Sequence, residues 1–175
     1  MTISHDDPLW QDFLSAARQY IETIDAPGPR DLVQTCAKLH GDLLELQLAA
    51  IDLPETTSDG DPAMATESKL ADRAKLKESF PIRYSMPDQV LEISGAKPPL
   101  IREMSEDLAD IYDELQALLA LEEAGYVDDA VFQARSGYVE DWGFLVVSAQ
   151  AGLWKLVAEA AIDAEEAAEP DPDSN

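Results

Sequence analysis

Hydrophobic residues recur every three or four positions along most of the chain, which is the spacing of one face of an α-helix. The first such stripe covers 9–24, and its helix is predicted to begin at Asp6 or Asp7, with Pro8 in the first turn. A second stripe covers 32–50 and opens at Asp31. Because the connection between the two is short, they predict an antiparallel helical hairpin.

Three further helices follow from the same spacing. A weaker one is predicted over 68–80, and a fourth is predicted to begin at the N-cap Ser105 and to stop at Gly125. The last is predicted over 128–167, because no proline interrupts that range. It contains three glycines, which predict either a kink or close packing of a neighbour: Gly137, Gly143 and Gly152.

The remaining segments are rich in turn-forming or acidic residues. Range 53–67 predicts a mobile loop, and the proline-rich range 81–102 predicts an irregular segment with one helical turn near 88–93. Range 169–175 predicts a disordered acidic tail. The chain is therefore predicted to be all-α, with a single helical domain over 1–168. We expect an antiparallel bundle of about five to seven helices with a long C-terminal helix.

The charge of the chain is far from balanced. Its 175 residues include 36 acidic and 12 basic ones, which gives a formal net charge of -24. Because nucleic acids and anionic membranes are bound mainly through Lys and Arg, both kinds of partner are disfavoured. Three interpretations stay open: a surface that raises solubility, adaptation to a salty cell, or attraction of a basic partner. The only basic cluster is diluted by acidic neighbours and comprises Lys69, Arg73, Lys75 and Lys77.

The chain start and the single cysteine bear on location and redox chemistry. The N-terminus has no basic region followed by an apolar core, so it does not predict a secretory signal. The apolar stretches are shorter than a membrane span requires, and we expect a cytoplasmic location. Cys36 lies on the apolar stripe of the second helix, which predicts a buried structural thiol.

The fourth predicted helix carries a cluster of carboxylates: Glu106, Asp107, Asp110, Asp113 and Glu114. Like charges four residues apart destabilise a helix, so we expect a solvated face, or an offsetting ion pair with Arg102 or Arg135. No Glu-x-x-His pair is present for a di-metal bundle, and neither His5 nor His40 has the surroundings of a catalytic base. We therefore predict no catalytic residue, no cofactor and no metal.

One sequence segment resembles a pattern found in a known protein family. The segment 107–115 reads Asp-Leu-Ala-Asp-Ile-Tyr-Asp-Glu-Leu, and with Tyr84-x-x-Pro-Asp and 141–143 (Asp-Trp-Gly) it resembles the bacterial domain of unknown function DUF5063. The resemblance extends in order through most of the chain and implies an all-helical fold, with no established activity. Family members show His-Trp-Gly-x-His, where this chain has Asp141 and Leu145, so a role that rests on those histidines is not expected here.

Two hypotheses of function remain. The first is a non-enzymatic, acidic helical protein that acts through protein-protein contacts, with a basic protein as partner. The alternative is a small-molecule binder or enzyme, whose pocket lies between the 81–100 segment and the last two helices. The residues that either hypothesis would use are Tyr84, Asp107, Asp110, Tyr112, Tyr138, Asp141 and Trp142.

Overall fold

The computed structural model describes residues 3–26, 31–57, 68–85 and 101–168. The first elements are helices α1 (Pro8–Asp25), α2 (Leu32–Asp52) and α3 (Arg73–Ser79), and the strands β1 (Arg83–Ser85) and β2 (Ile101–Glu103). They are followed by α4 (Met104–Glu123), α5 (Val127–Gly137), a π-helical turn (Tyr138–Trp142) and α6 (Gly143–Ala168). The predicted loop beyond residue 57, the helical turn at 88–93 and the acidic tail lie outside the described residues.

The first two helices begin at acidic N-caps, as the sequence predicts. The Asp7 carboxylate accepts a hydrogen bond from the backbone N–H of Leu9 at 3.0 Å, and Asp31 accepts one from Gln34 at 3.0 Å. Each side chain satisfies a backbone donor that has no partner within the helix. The two helices pack against each other as the predicted antiparallel hairpin.

The all-α prediction is confirmed. In the described part of the chain there are six α-helical segments, and α5, the π turn and α6 run on without a break, so that five helical rods form the bundle. α4 contacts α1, α3, α5 and α6, and α2 covers α6 from the other side. The buried apolar side chains form one connected cluster. Its largest fully buried members are Trp10, Trp142, Tyr20, Tyr112, Phe13 and Phe80.

Two predicted helix starts are wrong. Ser105 is not an N-cap, because α4 already begins at Met104, directly after β2, and the Ser105 side chain is buried. α3 is shorter than the predicted range 68–80. Its N-cap is Asp72, whose carboxylate accepts from the backbone N–H of Lys75 at 3.0 Å. The residues before this cap are not helical, and the Leu70 side chain is 69% exposed.

Part of the predicted irregular segment is a small antiparallel sheet. β1 pairs with β2 in a register that places Tyr84 opposite Arg102. Strands of three residues are too short to show an alternating pattern, so the sequence gives no signal for them. The pairing brings the end of the segment onto the first turn of α4.

The glycines of the last helix mark both a distortion and close packing. The backbone N–H of Gly143 donates to the carbonyl of Tyr138, five residues earlier, which is the hydrogen bond of a π-helix. A Cβ on Gly143 would lie 2.0 Å from that carbonyl oxygen. At Gly152 a Cβ would instead lie 2.6 Å from Met104 Cε and 3.2 Å from the Tyr84 ring. Gly143 therefore permits the π turn, and Gly152 permits close approach of β1 and α4.

The long C-terminal helix also meets simple criteria for a membrane span. Within the described residues, the run Val127–Asp163 is long and apolar enough by length and composition, with a mean hydropathy of 1.4 in its most apolar window. Only 39% of that window is buried inside the protein. The buried share includes Leu145, Val146 and Leu153, which belong to the bundle core. The expectation that every apolar stretch is shorter than a membrane span is therefore wrong for this helix, by length and composition.

Candidate functional site

Two of the seven predicted site residues meet in a buried polar cluster. Arg102 Nε donates to Asp107 Oδ1 at 2.5 Å, and the Tyr84 hydroxyl donates to the other carboxylate oxygen of Asp107. Ser148 of α6 completes the group, with its Oγ 3.1 Å from the Tyr84 hydroxyl. The β1–β2 register sets Tyr84 beside Arg102, and α4 turns Asp107 towards both. We call these four residues the Asp107 cluster; it ties the sheet to α4 and α6.

The electrostatics of the Asp107 cluster are those of a satisfied ion pair. Burial raises the pKa of Asp107, while the hydrogen bonds from Arg102 and Tyr84 oppose that rise. Burial and the nearby Asp107 charge raise the pKa of Tyr84, so its phenol stays protonated and donates. The Arg102 guanidinium lies 5.8 Å from the centre of the Phe144 ring, a cation–π distance. Each polar side chain of the Asp107 cluster has a hydrogen-bond partner within the cluster. We therefore interpret the cluster as a structural contact that holds the two strands against α4 and α6.

The acidic face of α4 is neutralised by an arginine from α3. Arg73 Nη1 lies 2.9 Å from Glu106, and its Nη2 lies 3.0 Å from Asp110 and 2.6 Å from Asp113. Asp113 also accepts from the backbone N–H of Ala71 at 2.6 Å. An arginine therefore occupies the space between these carboxylates. In the described residues no three His, Cys, Asp or Glu side chains are arranged to hold a metal ion.

Of the two arginines that were predicted to pair with the α4 carboxylates, Arg102 and Arg135, only the first does so. Arg102 does bind one member of the carboxylate cluster, Asp107. The expectation for Arg135 is wrong, because its guanidinium donates to the backbone carbonyls of Ile51 and Leu53 at the end of α2. Those carbonyls lack partners within the helix, so a cation at this position stabilises the helix end. Arg73 was not predicted, since nothing in the sequence places α3 against α4.

The remaining predicted residues lie apart from the Asp107 cluster. The Tyr112 hydroxyl lies 3.1 Å from Asp25 Oδ2. Tyr138 packs edge-on against Trp142 in the π turn, with 5.0 Å between ring centres. Asp141 is exposed. The pKa of Glu114 is raised, first by burial and then by the negative charge of Asp141. These side chains do not converge on one cavity.

Among the concave surfaces that the described residues form, two are candidate binding sites. The first, which we call the α5 notch, has a volume of about 280 Å³ and is lined by Glu55, Thr56, Phe132, Arg135, Ser136, Val139 and Glu140. Its lining includes the exposed apolar side chains of Phe132 and Val139 and the exposed carboxylates of Glu55 and Glu140. The side-chain oxygen of Thr56 is buried there without a hydrogen-bond partner.

The second surface, the α6 groove, has a volume of about 570 Å³ and is lined by His40, Tyr84, Val147, Gln150, Ala151, Gly152, Trp154 and Lys155. It partly matches the predicted pocket, since Tyr84 and α6 contribute to it. Tyr112, Tyr138 and Trp142 are not among the lining residues. His40 and Trp154 were not predicted as site residues, because a single residue on a helix gives no signal of what it faces.

Comparison with known proteins places the chain in a family. The sequence profile described as domain of unknown function (DUF5063) matches residues 5–159. The chain belongs to the DUF5063 family. This DUF5063 protein is also similar in structure to protein BF1032 from Bacteroides fragilis, with a TM-score of 0.66 and 17% sequence identity over 86% of this chain and 92% of that one. That similarity shows the fold alone. A comparison with curated proteins gives no match.

Proposed function

We propose that this DUF5063 protein acts through protein-protein contacts, as an acidic helical partner that binds a basic amphipathic segment of another protein and catalyses no reaction. The observation that carries the proposal is the α5 notch, whose lining combines the exposed apolar side chains of Phe132 and Val139 with the exposed carboxylates of Glu55 and Glu140. A segment with one large apolar side chain and basic neighbours matches both features.

The apolar side chains that line the notch offer surface that a partner would remove from water. Phe132 and Val139 are 37% and 76% exposed, and both lie on the same face as Arg135. Arg135 holds the end of α2 beside them, where Ile51 is 52% exposed. Large apolar side chains grouped in this way at a concave surface are typical of interaction sites.

The carboxylates of the notch and the overall charge favour a cationic partner. The Glu55 side chain is 88% exposed and lies 3.6 Å from Arg135, and Glu140, which also lines the notch, is exposed. Nine of the ten Lys and Arg side chains in the described ranges form ion pairs with carboxylates of the protein itself. The negative excess of the chain is thus left for a partner, and such a field speeds association with a basic protein.

The test uses a synthetic amphipathic helix of about 18 residues, built from leucine on one face and lysine on the other, which spans about 27 Å. Fluorescence anisotropy of the labelled peptide measures its dissociation constant. Val139→Ser is expected to weaken binding about tenfold, because burial of an exposed valine side chain contributes about 1.5 kcal/mol. Raising the salt concentration should weaken binding further.

Leu70→Ser is the matched control, since Leu70 is 69% exposed and lies outside the notch. It is expected to change the dissociation constant less than about twofold. A peptide with glutamate in place of lysine should not bind. Equal effects of the two serine variants, or equal binding of the two peptides, would contradict the proposal.

A further inference from the structure

We propose that the α6 groove binds a small, flat organic anion, of the class of aromatic carboxylates. The site is separate from the α5 notch, so this inference does not depend on the proposed protein contacts. Three observations carry it: a lining of small and aromatic residues, a set of hydrogen-bond donors, and the lack of carboxylates among the described lining residues.

Small and aromatic residues form the apolar part of the groove lining. Ala151 and Gly152 present almost no side chain, and the Tyr84 ring packs against Gly152 so closely that a Cβ there would lie 3.2 Å from it. The Trp154 side chain borders the groove and is 63% exposed, although tryptophan is normally at least partly buried. An exposed indole ring beside the small residues Ala151 and Gly152 is suited to stacking on an aromatic ligand.

The polar side chains of the groove include several hydrogen-bond donors. Gln150 lines the groove, and its Nε2 is buried without a hydrogen-bond partner. Lys155 contributes an ammonium group that is 3.6 Å from Glu159 and is 68% exposed. His40 adds an imidazole from α2. A buried donor without a partner costs free energy, and a ligand oxygen that accepts from Gln150 removes this cost.

The charge of the lining is opposite to that of the chain. The chain has 36 acidic and 12 basic residues, yet the described residues that line the groove include Lys155 and no Asp or Glu. One lysine suits one negative charge. A polyphosphate would need several cations and would be repelled by a protein of net charge -24. The volume of about 570 Å³ lies within the usual range for small-molecule sites.

The tryptophan indole N–H signals provide a site-specific test. The chain has three tryptophans, of which Trp10 and Trp142 are 0% and 1% exposed. In ¹⁵N–¹H spectra of the full chain, titration with 2-naphthoate should shift the indole signal of Trp154 in a saturable way. The signals of the two buried tryptophans should stay in place. Trp154→Phe assigns the signal by removing it.

Charge selection is tested with two further ligands and two variants. The neutral 2-naphthylmethanol and the cationic 2-naphthylmethylamine should bind at least about fivefold more weakly than 2-naphthoate. This factor corresponds to the loss of one exposed ion pair whose strength is near the upper end of the usual range. Lys155→Gln should weaken naphthoate binding about three- to fivefold, whereas the control Lys77→Gln, a similarly exposed lysine that pairs with Glu103, should not.

Three results would overturn the inference. They are a Trp154 signal that does not saturate, equal binding of the amine and the carboxylate, and equal effects of the Lys155 and Lys77 variants. Loss of peptide binding at the α5 notch would leave the inference intact, because the two sites share no lining residue.

Discussion

Gly143→Ala tests whether the long C-terminal helix really contains a π turn. The Gly143 N–H reaches the Tyr138 carbonyl, and an added Cβ would lie 2.0 Å from that oxygen and 3.1 Å from Cδ2 of the Tyr138 ring. The nearest obstructing atom belongs to the backbone and cannot rotate away. The alanine variant must therefore break the π hydrogen bond or shift the turn.

The sign of the effect separates the π turn from a regular helix. In a regular helix, replacing glycine by alanine raises the free energy of unfolding by about 1 kcal/mol. Here, overpacking costs about 1–3 kcal/mol, and the lost hydrogen bond costs about 1 kcal/mol more. The net expectation is a loss of about 1–3 kcal/mol. The matched control is Gly41→Ala in α2, where an added Cβ has no atom within 4 Å and a gain of about 0.5–1 kcal/mol is expected.

Urea denaturation followed by far-UV circular dichroism measures both changes. We expect the midpoint for Gly143→Ala to fall below that of the native protein, and the midpoint for Gly41→Ala to rise above it, with similar slopes. If Gly143→Ala raised the midpoint as much as Gly41→Ala does, the helix would be regular at this position and the reasoning would be refuted.

Three further predictions concern buried groups. Asp107→Ala leaves Arg102 and the Tyr84 hydroxyl without their acceptor. It should lower the free energy of unfolding, measured by urea denaturation, by about 3 kcal/mol. A loss below about 1 kcal/mol would show that the Asp107 cluster contributes little to stability. Because burial raises the folded-state pKa of Asp107 above its ordinary value of 3.8, the pH-dependent part of its contribution to stability is fully present below that value and is lost as pH rises through the raised pKa. The stability of the native protein relative to Asp107→Asn should therefore fall with rising pH in that window, and an opposite slope would refute the assignment. Burial raises the pKa of Cys36 to about 11, so an aromatic disulfide reagent at pH 8 should modify the unfolded chain and leave the native one almost unreacted; rapid reaction of the native thiol would contradict its burial.

The helices could be predicted because their signals are local. Asp31 and one of the pair Asp6 and Asp7 are predicted as N-caps from the sequence, and the stop at Gly125 agrees with its φ of +87°, which glycine adopts without strain. The three-residue strands and the π turn escaped prediction for the same reason. Each depends on hydrogen bonds that a periodic pattern does not encode, and Gly143 in the sequence alone fits a kink and close packing equally well.

The candidate site was predicted less well than the fold, because it depends on contacts between distant residues. Tyr84 and Asp107 were selected separately and do meet, yet in a satisfied ion-pair cluster. The sequence shows the carboxylates of α4 but not that Arg73 neutralises them. Exposure of Val139 and Trp154 was equally hidden, since both sit in an apolar pattern that would fit the core.

The most direct measurement for the central claim is the location of the partner surface on the ¹⁵N-labelled protein. We predict that backbone amide signals of Phe132, Ser136 and Val139, together with Ile51, shift most when the leucine–lysine peptide is added. Shifts spread evenly over the exposed acidic helices, or centred on Glu106 and Asp110, would show general charge attraction and contradict binding at the α5 notch.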